Sequence, residues 1–170
     1  MNRSLIGLLG MLAAAVALAP GTARAQQAHA QAAAVILKPV IPVGEAHARA
    51  QAGEIVLVDI RTPEEWKETG VPATAHAITM HQDPRRFVQQ VLAAMGGDRT
   101  RPVALICRTG NRSSTLQAEM RRAGFTNVAD VGEGMAGSRH GKGWLKSGLP
   151  IRTGGQVTAA PAIAQTAAPK

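Results

Sequence analysis

The stretch VALICRTGNRSS, Val103 to Ser114, decides how the chain is read. Val103 to Ile106 has the length and composition of a strand buried on both faces. Gly110 permits a left-handed turn directly after it. Asn111 or Ser113 then opens a helix that runs to Arg122, with Gly124 just past its end. An apolar strand, a tight loop and a helix in that order build a parallel α/β sheet, and ligands of such sheets sit beyond the carboxyl ends of the strands. Cys107, the single cysteine of the chain, lies at such an end.

The neighbouring segments repeat the pattern. Gly44 to Ala52 predicts a short helix stopped by Gly53, and Ile55 to Ile60 (IVLVDI) a second continuous apolar strand. Thr62, Pro63 and Glu65 form the signature of a capping box with proline in the first turn. Ala77 to Met80 predicts a weak strand. Asp83-Pro84 repeats the cap-and-proline signal for a helix reaching Met95, closed by Gly96-Gly97. Asn127 to Val131 predicts a third strand, and a last helix is expected around Lys142 to Lys146.

The flanks differ from this core. Residues 1–25 carry Arg3, an apolar run from Leu5 to Ala19 and the A-x-A site Ala23-Arg24-Ala25, the anatomy of a cleaved secretory signal. The run is shorter than the ~20 residues a spanning helix needs, so an uncleaved membrane anchor is the weaker reading. The expected destination is the periplasm. Residues 26–39 read as an Ala/Gln-rich linker, 40–152 as the folded domain, and 153–170 as a low-complexity, disordered tail. Loss of Arg3 and Arg24 with the signal lowers the formal charge from +8 to +6. The surplus favours small anions near the surface. It is not a nucleic-acid platform, because Trp66, Phe87, Phe125 and Trp144 are the only aromatic residues, and Arg85-Arg86 and Arg121-Arg122 read as solvated helix faces.

One cysteine cannot form an internal disulfide, and in an oxidising compartment a lone thiol is buried or used. Cys107 could be no more than a small hydrophobe at a strand end. Its surroundings argue for use. Backbone amides of residues 108–113 and the positive end of the following helix favour an anion at the sulfur. Arg108 and Arg112 add charge, Thr109 and Gly110 complete the turn, and Asn111 and Ser113 can brace it through side-chain to backbone hydrogen bonds. His29, His47, His76, His81 and His140 lack convincing metal-ligand spacing, and no metal or cofactor is called for.

Three ordered segments then carry a resemblance. VLVDIRTPEEWKETGVP (Val56–Pro72), CRTGNRSS (Cys107–Ser114) and GFTNVADVGEGM (Gly124–Met135) followed by GWLKSGLPI (Gly143–Ile151) resemble the signatures of the rhodanese family across nearly all of residues 40–152. The resemblance implies a rhodanese-like α/β fold, a five-stranded parallel sheet flanked by helices on both faces. It also implies sulfur transfer through a persulfide on Cys107, with residues 108–113 binding the substrate. Asp59 and Arg61 are expected to support the loop scaffold by a buried ion pair rather than to react. Two departures stand out. Gly70-Val71-Pro72-Ala73-Thr74 replaces the usual His-Ile-Pro-Gly-Ala, and MAGSRHGKGW is longer than the usual glycine-to-tryptophan connection. Arg139, His140 and Lys142 on that longer loop could touch substrate, although a solvated basic loop is the commoner case.

The implied reaction is ping-pong: a small anionic sulfur donor such as thiosulfate, then a thiol or cyanide acceptor. Phosphatase or arsenate-reductase chemistry is the enzymatic rival, but those loops place five residues between cysteine and arginine, whereas Arg108 to Asn111 number four. A sulfur carrier that loads once for a periplasmic protein acceptor, or a domain that only binds, would carry the same loop or a degenerate one.

Overall fold

A computed structural model describes residues 35–154. The expected signal segment, most of the linker and nearly all of the tail lie outside the described residues. Within them the chain runs β1 (Val40–Ile41), α1 (Val43–Gln51), β2 (Val56–Asp59), α2 (Pro63–Thr69), β3 (Val71–Pro72), β4 (Ala75–Ala77), α3 (Pro84–Ala94), β5 (Val103–Ile106), α4 (Asn111–Arg122), β6 (Val128–Val131), α5 (Gly143–Lys146) and β7 (Ile151–Arg152).

Five strands form one sheet in the order β1-β6-β5-β2-β4, every pairing parallel. This is the expected rhodanese-like α/β architecture. Side chains alternate across a strand, so each buried strand feeds two helix layers. Leu57, Ala104, Ile106, Ala129 and Val131 pack toward α1, Trp66 and Trp144. Val58, Val103, Leu105 and Val128 pack toward α3 and α4 through Phe87, Val91, Leu116 and Met120. Cys107 continues the second row and so faces the α4 side.

Three strands had no sequence expectation: β1, β3 and β7, each two residues long. β3 and β7 pair antiparallel through Val71↔Arg152 and Pro72↔Ile151. The strand expected at Ala77–Met80 sits two residues earlier, because register with β2 sets Ala75 opposite Leu57 and Ala77 opposite Asp59. Residues 35–39, read as the end of a linker, pack on the domain: Leu37 is buried and its amide donates to Asn127 Oδ1 at 3.0 Å. His76 on β4 is kept neutral, its pKa lowered to about 4 by burial and then by Arg152 and Arg101.

The carboxyl end of β2 is fixed by a buried ion pair. Arg61 Nη2 donates to Asp59 Oδ2 at 2.7 Å and Arg61 Nε to Asp59 Oδ1 at 2.9 Å, with both residues almost wholly buried. The rest of the guanidinium reaches Thr69 Oγ1 at 2.7 Å, Gly70 O at 2.6 Å and Glu65 O at 3.3 Å. All five N–H donors are therefore used, and α2 is tied to the strand before it. Removing one partner of such a pair strands the other charge in the interior. Asp59→Asn should lower unfolding stability in urea by roughly 3 kcal/mol. A loss within experimental error would show that the pair is not the tie described.

Candidate active site

β5 delivers Cys107 to the sheet's carboxyl edge, and Gly110 turns the chain into α4. Gly110 adopts φ +86°, and a Cβ there would fall 2.4 Å from the carbonyl oxygen of Gly132, which follows β6. The start of α4 therefore rests on the neighbouring strand's exit, an approach only glycine allows. Two further bonds stitch these loops together: Met135 N donates to Cys107 O, and Ala136 N to Arg108 O, both at 2.9 Å. Gly134, at φ +65°, presses on the same segment, since a Cβ there would lie 2.6 Å from Arg108 O.

The carbonyls of Cys107, Arg108 and Gly110 are thus occupied, the last by Ser114 N at 3.0 Å. Its amides at Arg108, Thr109 and Gly110 lie before α4 and have no acceptor among the hydrogen bonds of the described residues. The first-turn amides of a helix are likewise left for a cap or a ligand. Gly110, as N-cap, supplies no side-chain acceptor.

Cys107 is 1% exposed. Burial alone would suit a small packed hydrophobe, but the sulfur has polar company. Ser113 Oγ donates to Cys107 Sγ at 3.3 Å, and lies 3.1 Å from Gly110 O, the bracing contact expected for that hydroxyl. Asn111 is exposed and its side chain makes no such brace; Thr115 Oγ1 bonds to the Asn111 carbonyl instead. Arg108 is exposed and Thr109 half-buried.

Arg112 does not extend freely toward solvent. Its Nη1 and Nη2 grip Glu65 Oε2 and Oε1 at 2.8 and 2.6 Å, and Nη1 lies 3.4 Å from His81 Nε2. Its pKa is raised first by the hydrogen bond to Glu65, against the cost of burial, and to a smaller degree by the Cys107 sulfur beside it. Glu65 is pulled down to about 2, chiefly by Arg112. The same carboxylate closes the α2 capping box: Thr62 N donates to Glu65 Oε2 at 3.1 Å, and Glu65 N to Thr62 Oγ1 at 3.3 Å. Sequence reading assigned Glu65 only the cap. Its second partner is 47 residues away. Arg139, His140 and Lys142 are exposed on a turn closed by the Ser138–Gly141 bridge, which begins beside the Arg108 carbonyl. Among the described residues no three His, Cys, Asp or Glu side chains converge as metal ligands.

A parallel sheet with a cysteine loop at the carboxyl end of its central strand defines a class of α/β architecture in which ligands sit beyond the strand ends. Residues 42–139 match the rhodanese-like domain, and the chain belongs to that family. It is 31% identical over 119 residues to thiosulfate sulfurtransferase 16, chloroplastic, of Arabidopsis thaliana, covering 66% of this chain and 91% of the relative. It is 30% identical over 102 residues to a sulfurtransferase of Allochromatium vinosum, covering 60% and 82%. In fold it is similar to the polysulfide-sulfur transferase homodimer of Wolinella succinogenes, with a TM-score of 0.53 at 23% identity over 79% of this chain and 90% of that one.

The Glu65–Arg112 pair gives a pH-dependent expectation. Glu65 has a depressed pKa, so the pair stabilises the fold above the ordinary value of 4.5 and loses that contribution as pH falls through about 2. Glu65→Gln keeps a capping acceptor but removes the charge. At neutral pH it should cost about 1 kcal/mol in denaturant unfolding, and the gap should close on acidification. A gap that persists at low pH would place its origin in the cap alone.

Proposed function

We propose that the protein is a sulfurtransferase that moves sulfane sulfur from thiosulfate or a related anionic donor to a thiol or cyanide acceptor through a persulfide on Cys107. The observation that carries this reading is the placement of the lone sulfur under the hydroxyl of Ser113 and beside the guanidinium of Arg112, at the start of α4. The sulfurtransferases among its relatives support the same class.

In the first half-reaction the Cys107 thiolate attacks the outer sulfur of thiosulfate. A new S–S bond forms at Cys107, the bond to the sulfonate sulfur breaks, and sulfite leaves with the electron pair. The persulfide anion then rests against the loop amides. In the second half-reaction the acceptor takes the terminal sulfur and the Cys107 thiolate returns.

The two arginines divide the electrostatic work. Arg112 is largely neutralised by Glu65 and serves to hold positive charge near the sulfur. Exposed Arg108 is the guanidinium left for the donor's oxygens, with Thr109, Gly110, Asn111 and Ser113 shaping the rest of the substrate loop. Asp59 and Arg61 support that loop from the neighbouring strand. The four-residue interval between Cys107 and Arg112 continues to favour sulfur over a tetrahedral phosphate.

We assign the protein to the periplasm on the strength of residues 1–25. The periplasmic form should begin at Gln26 by N-terminal sequencing; a chain recovered there with Met1 intact would contradict the cleavage.

Turnover separates an enzyme from a carrier. With thiosulfate and cyanide varied together, the wild type should give the parallel lines of a ping-pong mechanism. Cys107→Ser should give no thiocyanate above background while unfolding at an unchanged urea midpoint. Persistent turnover in that variant would show that another group is the nucleophile. Loading by thiosulfate without cycling would favour a carrier for a periplasmic protein acceptor.

A further inference from the structure

The turn that follows β6 grows out of the wall of the active loop. Gly132 O faces Gly110, Met135 N donates to Cys107 O, and Ala136 N to Arg108 O, both at 2.9 Å. Beyond these contacts the turn is closed by its own bonds. Ser138 N donates to Gly141 O at 3.0 Å and Gly141 N to Ser138 O at 3.2 Å. Ser138 Oγ donates to Gly132 O at 2.7 Å and accepts from His140 N at 3.0 Å. Glu133 pins the far end, its Oε2 accepting from Gly143 N and its Oε1 from Val43 N, both at 3.1 Å.

Exposed charge on this turn has one sign. Arg139, His140 and Lys142 are exposed, and so is Arg108 on the loop that the turn abuts. Arg139 spends Nε on His140 Nε2 at 3.2 Å. Its terminal nitrogens and the Lys142 ammonium meet no acid among the described residues. The acids of the same segment, Asp130 and Glu133, are buried, and Glu133 is spent on the two amides above. Arg61 and Arg112, by contrast, are each matched to a carboxylate.

An apolar margin adjoins the cations. β1 is the edge of the sheet, and Val40 on it is 43% exposed. A Cβ on Gly132 would lie 2.7 Å from Val40 Cγ1 and 3.3 Å from the His140 ring, so valine and imidazole stand side by side over one glycine. A sheet edge, an exposed aliphatic side chain and unpaired cations together suit a polypeptide, which brings backbone, apolar and charged groups at once.

We propose that this surface, Arg139 and Lys142 with Val40 at the sheet edge, docks an acidic segment of the protein that accepts the sulfur. Charge complementarity selects the partner. The chain's net positive charge steers acids toward it, and a preformed turn offers them fixed cations at little ordering cost. The donor keeps Arg108, on the active loop, and the partner takes the turn beside it. The partner's role as acceptor rests on the persulfide reading above, whereas the surface itself does not.

The test uses two fluorescein-labelled peptides without a thiol, one rich in glutamate and one with glutamine in its place, titrated with the full chain in low salt. By anisotropy the glutamate peptide should bind about tenfold more tightly than its glutamine copy. Arg139→Gln with Lys142→Gln should erase most of that preference. Arg85→Gln with Arg86→Gln, which removes the same charge from exposed positions on α3, should leave it intact. Equal binding of the two peptides, or equal loss in both double variants, overturns the docking surface, the latter because net charge alone would then account for binding. Displacement of the peptide by an equal concentration of succinate would show a small-dianion pocket instead and overturn it as well. If the first double variant does not fold, the two single variants decide, each expected to lose about threefold. Sulfur uptake from thiosulfate, measured separately, reads the persulfide proposal. A chain that binds the glutamate peptide but never loads keeps the surface and loses the function, and one that loads but ignores glutamate does the reverse.

Discussion

The close approach of Gly110 to the carbonyl of Gly132 is the constraint on which the site depends. It lets the first turn of α4 rest on the exit of β6, so that one loop is closed from below by its own helix and from the side by a second strand. Any side chain at Gly110 would meet backbone at 2.4 Å and would also be strained at φ +86°. The bonds from Met135 and Ala136 to the carbonyls of Cys107 and Arg108 follow from this contact. They turn the loop's acceptors away and leave amides for a ligand. A buried sulfur in such a place is a different object from a buried sulfur in hydrocarbon.

Charge is laid out with comparable economy. The Asp59–Arg61 pair spends every donor of its guanidinium inside the scaffold. The Glu65–Arg112 pair joins α2 to α4 and sets a cation beside Cys107 without leaving a bare buried charge. Because Glu65 also caps α2, the order of that helix and the position of Arg112 are linked through one carboxylate. Arg108 remains outside these ties and faces solvent.

What the sequence made legible was local. The strand, loop and helix around Cys107 are contiguous, so their order and their chemistry can be read from Val103 to Arg122. Asp59 and Arg61 are two residues apart on a strand end, and a pair so close needs no knowledge of the fold. Long-range contacts were hidden. Nothing near Glu65 announces Arg112, and the capping box already accounted for the glutamate. β1, β3 and β7 are too short to show a period of two, and β4 took its register from β2 rather than from its own weak apolar pattern. Asp130 did leave a trace, an acid inside the apolar run NVADV, but its burial shows only in the folded chain. The added length of the Met135–Trp144 connection was visible, whereas the placement of His140 over Gly132 was not.

Intact-protein mass spectrometry after exposure to thiosulfate tests the central claim most directly. One added sulfur atom per chain, located on the peptide containing Cys107 and removed by cyanide, is the expected result. An unchanged mass, with Cys107 still open to alkylation, would mean that the polar setting of this sulfur does not make it a sulfur acceptor.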